Sequence, residues 1–285
     1  MGQLLRRHGL APLRRRGQHF LVDSAIHSRI LRAARLTRDD LVLEIGPGLG
    51  SMTRALARRS RQVVAVELDP GLARVARERL ATEPNVEIVE GDILAADVRA
   101  LLAAHGLDRQ EDGPLFDYKV VANLPYAITS PVLRLFLTGD TRPSSLVVMV
   151  QEEVARRAVA APPAMSFLSV LVQYYGAPRL VTVVPPAAFY PPPRVSSAIL
   201  HIAVRPHPQP QVDDEGRFMD FVMAGFARPR KQIHNSLAER LKASPRDIAS
   251  ALDAAGIAPT RRASTLELGE WAALARAFLA RPVDG

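Results

Sequence analysis

The hydrophobic pattern changes its period repeatedly along the first two thirds of the chain. Short apolar runs that predict strands alternate with segments in which apolar residues recur at helical spacing. The predicted strands span 41–45, 62–67, 86–90, 117–122 and 145–150. The predicted helices begin near 51 and span 70–81, 131–137 and 151–159. This alternation predicts a mostly parallel sheet with helices on both faces.

Two extended stretches, 178–184 and 196–204, follow this alternation. The loop between them is rich in proline and too short to contain a helix. We therefore expect the two stretches to pair antiparallel at an edge of the sheet.

The last third of the chain predicts a separate helical unit. Apolar positions follow helical spacing there, and Pro229 stands where one helix is expected to begin. Ser244 and Pro245 are expected to cap a further helix, which Gly256 ends. The predicted layout is a basic arm, an α/β domain, a linker and a helical domain, at 1–13, 14–205, 206–216 and 217–285. Within the α/β domain, the polar stretch 105–116 is expected to be a surface insertion.

A loop with glycine at alternate positions follows the strand 41–45. Gly46, Gly48 and Gly50 would let the backbone approach a ligand closely. Ser51 stands where a dinucleotide fingerprint requires its third glycine, which disfavours a nicotinamide cofactor.

Two carboxylates follow at the carboxyl ends of the next predicted strands. Glu67 lies about twenty residues beyond Gly46, where a doubly wound fold places an acid that binds two ribose hydroxyls. Asp92 follows the third strand and suits an adenine amino group. Each acid taken singly also fits a solvated strand end, but in register with the glycine loop they indicate a nucleoside-binding site.

The segment Asn123-Leu124-Pro125-Tyr126 follows another predicted strand and suits one chemical problem. The lone pair of an exocyclic base amine is delocalised into the ring, so an enzyme that methylates it needs acceptors for the amine hydrogens. The Asn123 side-chain oxygen and the Leu124 or Pro125 carbonyl can supply them, and Tyr126 offers a ring on which an extruded base can stack. By itself, the tetrapeptide also fits a plain proline turn with a core tyrosine.

Basic residues outnumber acidic ones, and the formal net charge is +8 with a pI near 10.5. Such an excess favours a polyanionic partner, of which nucleic acid is the leading candidate. Lysine stands only at positions 119, 231 and 242, so arginine supplies nearly all of the 37 basic residues, a bias that genome composition explains equally well. A helix is predicted to begin at residue 23 or 24. On a face other than its apolar one, it carries a row of basic side chains formed by Arg29, Arg32 and Arg35.

Several classes of protein are disfavoured by composition. The chain has no cysteine, which excludes disulfides and thiolate zinc sites, and no cluster of histidines and acids has metal-ligand spacing, so we expect no metal. No apolar run approaches the roughly 18 residues of a membrane span. The basic N-terminus lacks the apolar core of a secretion signal. We therefore expect a cytoplasmic protein.

Six blocks of sequence together resemble the ribosomal RNA adenine N6,N6-dimethyltransferases, a family of class I methyltransferases that use S-adenosylmethionine (SAM). The blocks are 16–23, 44–50, 66–69, 123–126, 151–154 and 189–195. Within the family, the chain is similar to the small-subunit (16S) enzymes of bacteria. The similarity extends from about residue 14 to the end and includes blocks at 226–237 and 262–268. It implies a Rossmann-like α/β fold with a mostly parallel sheet, an antiparallel edge strand and a small all-helical C-terminal domain.

The resemblance also implies roles for residues at matching positions. The implied SAM site comprises His19, Leu21, Gly46, Gly48, Glu67, Asp92 and Asn123. The implied catalytic set, with the target adenine between its two rings, comprises Asn123, Leu124, Pro125, Tyr126 and Phe189. The implied RNA contacts are Arg14, Arg15, Arg16, Arg228, Arg230 and Lys231.

The implied reaction is direct in-line transfer of methyl groups to N6 of two adjacent adenines. Its substrate would be the 3′-terminal hairpin of 16S rRNA, within the small ribosomal subunit or its precursor. The product of the cofactor would be S-adenosylhomocysteine, and the enzyme would act as a monomer.

The chain departs from the family pattern at three places. His19 replaces the usual asparagine, the segment 164–169 lacks the usual Tyr-Gly, and Pro229 interrupts a run of basic residues. Two alternatives stay open: methylation of large-subunit rRNA, as in antibiotic-resistance enzymes, and a non-catalytic RNA-binding factor of ribosome assembly.

Overall fold

The computed structural model describes residues 1–12, 18–107 and 116–280. The predicted RNA contacts at Arg14, Arg15 and Arg16, and most of the expected insertion at 105–116, lie outside the described residues. The strands are β1 (Phe20–Leu21), β2 (Leu41–Ile45), β3 (Gln62–Glu67), β4 (Val86–Glu90), β5 (Phe116–Asn123), β6 (Pro143–Gln151), β7 (Gly176–Val184), β8 (Phe189–Tyr190) and β9 (Ser197–Val204).

Seven of these strands form one sheet in the order β4-β3-β2-β5-β6-β9-β7. The pairs β3–β4, β2–β3, β2–β5 and β5–β6 are parallel, whereas β9 runs antiparallel to β6 and β7 lies beside it at the edge. The predicted mostly parallel sheet is therefore confirmed. Because β2 lies between β3 and β5, the chain order reverses at β2, and the carboxyl ends of these strands define a crevice.

The helices are α1 (Gly2–Arg7), α2 (Ser24–Ala34), α3 (Ser51–Ala57), α4 (Pro70–Leu80), α5 (Val98–Ala104), α6 (Thr129–Thr138), α7 (Glu152–Ala158), α8 (Phe167–Tyr175), α9 (Glu215–Gly225), α10 (Ile233–Leu241), α11 (Pro245–Ala254) and α12 (Leu268–Leu279). The local caps explain several of these boundaries. Asp23 accepts hydrogen bonds from two backbone N–H groups at the start of α2, and Asp69 does the same for α4. Ser244 caps α11 as predicted.

Three helices after the first 13 residues differ from the sequence prediction. Neither α5 nor α8 is predicted, because α5 is short and α8 is apolar on nearly every side, so neither shows a clear helical period. The prediction that a helix begins at Pro229 is wrong. α10 begins at Ile233, and the backbone from Arg228 to Lys231 turns instead, with the Lys231 N–H bonded to the Arg228 carbonyl.

The first residues are more than a solvated basic arm. Leu5 in α1 is 1% exposed and packs with Leu49, Leu72 and Val75, beside the glycine loop. The apolar side of α1 is therefore part of the fold, while Arg6 stays exposed.

The chain divides into two compact units by its internal contacts: Met1–Ala155 with Ala177–Pro206, and Arg156–Gly176 with His207–Gly285. The first unit contains most of the sheet. In the second, Trp271 is fully buried and lies 5.3 Å from the ring of Phe226, while Tyr174 of α8 packs 4.9 Å from Phe218 of α9. The predicted boundaries at 205 and 217 remain a prediction, and the contacts group 156–176 with the later helices.

None of the helices among the described residues is both long enough and apolar enough to cross a membrane.

Candidate active site

A cavity opens at the carboxyl ends of β2, β3 and β5, where the chain order reverses. Its void measures about 990 Å³, with open solvent at its mouth included. Most of the predicted cofactor and catalytic residues line it: His19, Leu21, Gly46, Gly48, Glu67, Asn123, Leu124, Pro125, Tyr126 and Phe189. Two sides can be distinguished. We call Glu44, Gly46, Gly48 and Glu67 the glycine side, and Asn123, Leu124, Pro125, Tyr126 and Phe189 the Asn123 side.

The glycine loop needs its glycines for conformation. Gly46 and Gly48 have φ angles of 69° and 58°, in the left-handed region that side chains disfavour. A Cβ on Gly48 would also lie 3.1 Å from the ring of Phe20, whereas a Cβ on Gly46 would meet no atom within 4 Å. Backbone is therefore exposed to the cavity at Gly46 without a protein group packed against it.

Glu67 ties the end of β3 to the glycine loop. Its side chain is buried, and its two oxygens accept hydrogen bonds from the backbone N–H groups of Gly48 and Asp69, each at 3.0 Å. Burial raises the pKa of Glu67, and the two backbone donors oppose that shift. Each oxygen keeps a second lone pair, so this fixed carboxylate can accept further bonds from two hydroxyls.

Glu44 is a site residue that the sequence reasoning missed. It is 2% exposed and lines the cavity, and its Oε2 has no hydrogen-bond partner among the described residues. Burial raises the pKa of Glu44 to about 8, the nearby Thr53 hydroxyl opposes the shift, and the charge of Glu67 adds to it. The available signal was a single acid inside the otherwise apolar strand 41–45.

Asn123 ends β5, and its Nδ2 donates to the backbone carbonyl of His19 at 3.0 Å. Since the amide nitrogen is engaged in this way, the side-chain oxygen is the group left to accept from a ligand. Of the two candidate backbone acceptors, the Pro125 carbonyl already accepts from the Ile128 N–H at 3.1 Å. Within the described part of the chain the Leu124 carbonyl accepts no such bond, which favours it as the second acceptor.

Two contacts hold the side chain of Tyr126, one at its hydroxyl and one at its ring. Its hydroxyl lies 2.8 Å from Ser197 Oγ, and burial raises its pKa. The His19 ring stacks on it, with centroids 5.9 Å apart and planes 29° apart. His19 Nδ1 lies 2.7 Å from the Pro191 carbonyl, which can only accept, so Nδ1 carries a proton. The histidine that replaces asparagine is thus integrated into the site.

The proline-rich loop reaches the cavity through a two-stranded ladder. β1 and β8 pair antiparallel, with Phe20 opposite Tyr190 and Leu21 opposite Phe189. Phe189 is 4% exposed and lines the cavity, as Tyr126 does, so the structure brings the two predicted stacking rings to one cavity.

Other predicted residues lie elsewhere. Asp92 is exposed beyond β4, accepts a bond from the Leu94 N–H at 2.9 Å, and is not among the cavity-lining residues. In the second unit, Arg228, Arg230 and Lys231 are exposed. Two of them pair with the same acid, since Glu239 lies 2.8 Å from Arg228 and 3.1 Å from Lys231. No set of histidines and acids among the described residues is arranged to hold a metal ion.

Known proteins resemble this chain along nearly its whole length. A family model described as "Ribosomal RNA adenine dimethylase" matches residues 13–278. The Ribosomal RNA small subunit methyltransferase A of Moorella thermoacetica is 45% identical over 275 residues, which cover 96% of this chain and 94% of that protein.

Solved structures show the same fold. The 23S rRNA methyltransferase ErmE superposes with a TM-score of 0.69 at 30% identity, covering 91% of this chain and 99% of that chain. A dimethyladenosine transferase from Plasmodium falciparum superposes with a TM-score of 0.73 at 22% identity, covering 90% and 96%. The chain therefore belongs to the ribosomal RNA adenine dimethylase family and is a SAM-dependent methyltransferase of the class I fold.

Proposed function

We propose that this protein dimethylates N6 of two adjacent adenines in the 3′-terminal hairpin of 16S rRNA during biogenesis of the small ribosomal subunit. The observation that carries the proposal is the position of Asn123, Leu124 and Tyr126, in one cavity with the glycine loop and Glu67. The small-subunit enzyme of Moorella thermoacetica is 45% identical to this chain, compared with 30% for the 23S enzyme ErmE. That difference favours the small subunit as the source of the substrate.

The glycine side fits SAM. Bound there, SAM would supply an electrophilic methyl group on a positively charged sulfur. The fixed oxygens of Glu67 would accept bonds from the ribose hydroxyls, and the glycine backbone would allow close approach. The unpartnered Oε2 of Glu44 belongs to a buried carboxyl group at the cavity, and a cationic cofactor bound there would favour the ionised form of that group. Asp92 is proposed to contact the adenine from beyond β4.

The Asn123 side would prepare the nucleophile. The Asn123 side-chain oxygen and the Leu124 carbonyl would each accept one hydrogen of the adenine N6 amine, which turns its lone pair toward the methyl group. Pro125 fixes its own φ and biases Leu124 to an extended backbone, so these acceptors are held before the base arrives. After transfer, water would take the amine proton. The rings of Tyr126 and Phe189 would hold the extruded base.

The direct test is to incubate undermethylated small subunits with the protein and SAM, and to map N6,N6-dimethyladenine in the RNA. We expect SAM-dependent modification of two adjacent adenines in the 3′-terminal hairpin, while large-subunit RNA stays unmodified. Modification of large-subunit RNA alone would favour the ErmE-like alternative. SAM binding without any turnover would favour a non-catalytic assembly factor.

We further propose that the protein works as a monomer in the cytoplasm, on subunits or their precursors. Contacts with RNA are proposed at Arg14, Arg15 and Arg16, and at Arg228, Arg230 and Lys231. Light scattering on the free protein tests whether it is a monomer, and a dimer would contradict the proposal.

A further inference from the structure

Four arginines of the first unit form a basic surface that the proposed chemistry does not use. We call it the arginine face, and it comprises Arg29, Arg32, Arg35 and Arg179. Arg29 and Arg32 lie on α2, Arg35 is the residue directly after it, and Arg179 lies on β7. All four residues are exposed.

Hydrogen bonds bring the two elements together. Arg29 Nη1 donates to the Thr182 hydroxyl of β7 at 2.8 Å. At the other end of α2, Lys119 Nζ of β5 donates to the Arg35 carbonyl at 3.2 Å. These bonds fix α2 across the sheet, and Arg179 lies three residues from Thr182 on the same strand.

The strand register places a further basic residue beneath this surface. Lys119 pairs with Ser145, and Ser145 pairs with Ala203, so these three side chains share one sheet face. His201 lies two residues from Ala203 and has the same orientation. Burial lowers the pKa of His201, and the charges of Arg179, Arg35 and Lys119 lower it further. These positive charges therefore lie close enough together to influence a common site.

The arginine face has almost no acidic compensation. α2, β7 and β9 contain no aspartate or glutamate. Asp40 is paired with Lys119 at 2.9 Å, and none of the four guanidinium groups forms an ion pair within the described ranges. By contrast, Arg74 and Arg77 on α4 lie 3.1 Å and 3.9 Å from glutamates. An uncompensated positive surface repels itself and attracts a polyanion.

The helix α2, which carries part of the face, also reaches the cavity. His27 of α2 lines the cavity, and eight residues of helix separate it from Arg35, a distance of about 12 Å along the axis. RNA that continues from a base held in the cavity would meet this row of guanidinium groups, whose planar forks match phosphate oxygens.

We propose that the arginine face binds the phosphate backbone of the RNA that flanks the target adenine. This proposal rests on the proposed function, because it assumes that RNA enters the cavity. The arginine face would hold the RNA substrate while the residues of the cavity carry out methyl transfer.

The test compares two double variants that lose the same charge. Arg32→Gln/Arg35→Asn changes the face, with Asn at position 35 because Arg35 has a φ of 47°, a conformation that asparagine tolerates. Arg74→Gln/Arg77→Gln is the control. Binding of protein-free RNA that contains the 3′-terminal hairpin is measured over a range of salt concentrations. We expect the slope of log affinity against log salt to fall by about 0.7–0.9 per lost contact in the face variant, and to stay near the wild-type value in the control.

Equal slopes in both variants would overturn the proposal. Weaker binding to intact subunits, with unchanged binding to protein-free RNA, would overturn it as well, because the face would then contact a ribosomal protein. SAM affinity and the melting temperature check the fold, and the single variant Arg32→Gln repeats the test if the double variant is unstable.

A separate measurement distinguishes failure of this inference from failure of the proposed function. In single-turnover methylation of small subunits, the face variant is expected to keep the wild-type maximum rate but to need at least about tenfold more subunits to reach half of it. If the wild-type protein methylates no small subunit, the proposed function fails, while the salt slope still tests the arginine face.

Discussion

The two sides of the cavity are built in different ways. The glycine side comes from one stretch of chain, 44–67. Its Glu67 is fixed by the backbone N–H groups of Gly48, within that stretch, and of Asp69, two residues beyond it. The Asn123 side is assembled from segments far apart in sequence. Asn123 is tied to His19, 104 residues away, and Tyr126 to Ser197, 71 residues away. The glycine side can thus form locally, whereas the site for the target base requires most of the first unit to be folded.

The comparison predicts that substitutions on the two sides separate chemistry from cofactor binding. The largest effect is expected for Asn123→Ala, because it removes an acceptor that positions the amine in the transition state. Methyl transfer at saturating SAM should fall by roughly 100- to 1,000-fold, while RNA binding persists. Single-turnover methylation of small subunits measures this. Near-normal transfer would show that Asn123 does not position the amine, and that the two sides of the cavity do not differ in the way described.

The next largest effect is expected on the glycine side. Glu67→Ala should weaken SAM by about 100-fold, since charge-assisted hydrogen bonds contribute about 1.5–3 kcal/mol each. Titration calorimetry measures the affinity, and RNA binding should be unchanged. Glu90 is the matched control, because it faces Glu67 in the β3–β4 register but is exposed. If Glu90→Ala weakens SAM as much as Glu67→Ala does, then Glu67 has no special role.

The buried acid of the glycine side should also make stability depend on pH. Glu44, with its pKa raised to about 8 from 4.5, keeps its proton in the folded chain at pH values where the unfolded chain has lost it. Stability should therefore fall as pH rises from about 4.5 to 8. Glu44→Gln should remove much of that fall, on the order of 4 kcal/mol at pH 8. Urea unfolding at pH 5 and pH 8 tests this, and equal pH dependence in both proteins would contradict it.

The smallest effects are expected at Tyr126. Tyr126→Ala should weaken binding of an RNA with an extruded target adenine by about 1–3 kcal/mol through lost stacking. Tyr126→Phe keeps the ring but loses the bond to Ser197, and should cost only about 0.5–1.5 kcal/mol. Fluorescence of 2-aminopurine at the target position would measure the loss of binding in both variants. Equal losses in the two variants would show that the hydroxyl, not the ring face, is the important group.

The same division explains what the sequence could predict. The glycine loop and Glu67 are set by local spacing, so their place at one strand edge follows from the parallel sheet. The stacking of His19 on Tyr126 and the bond from Asn123 to the His19 carbonyl join distant segments and have no local signal. Glu44 was missed because a strand interior reads as core. The pairing of Arg228 and Lys231 with Glu239 of α10 has no local signal in the sequence.

The packing of α1 has a practical consequence for handling the protein. Leu5 is buried beside the glycine loop, and Met1 lines the cavity itself. An affinity tag fused directly before Met1 would place foreign residues at the mouth of the cavity and could compete with ligands there. Amino-terminal tags should therefore be removed before quantitative work.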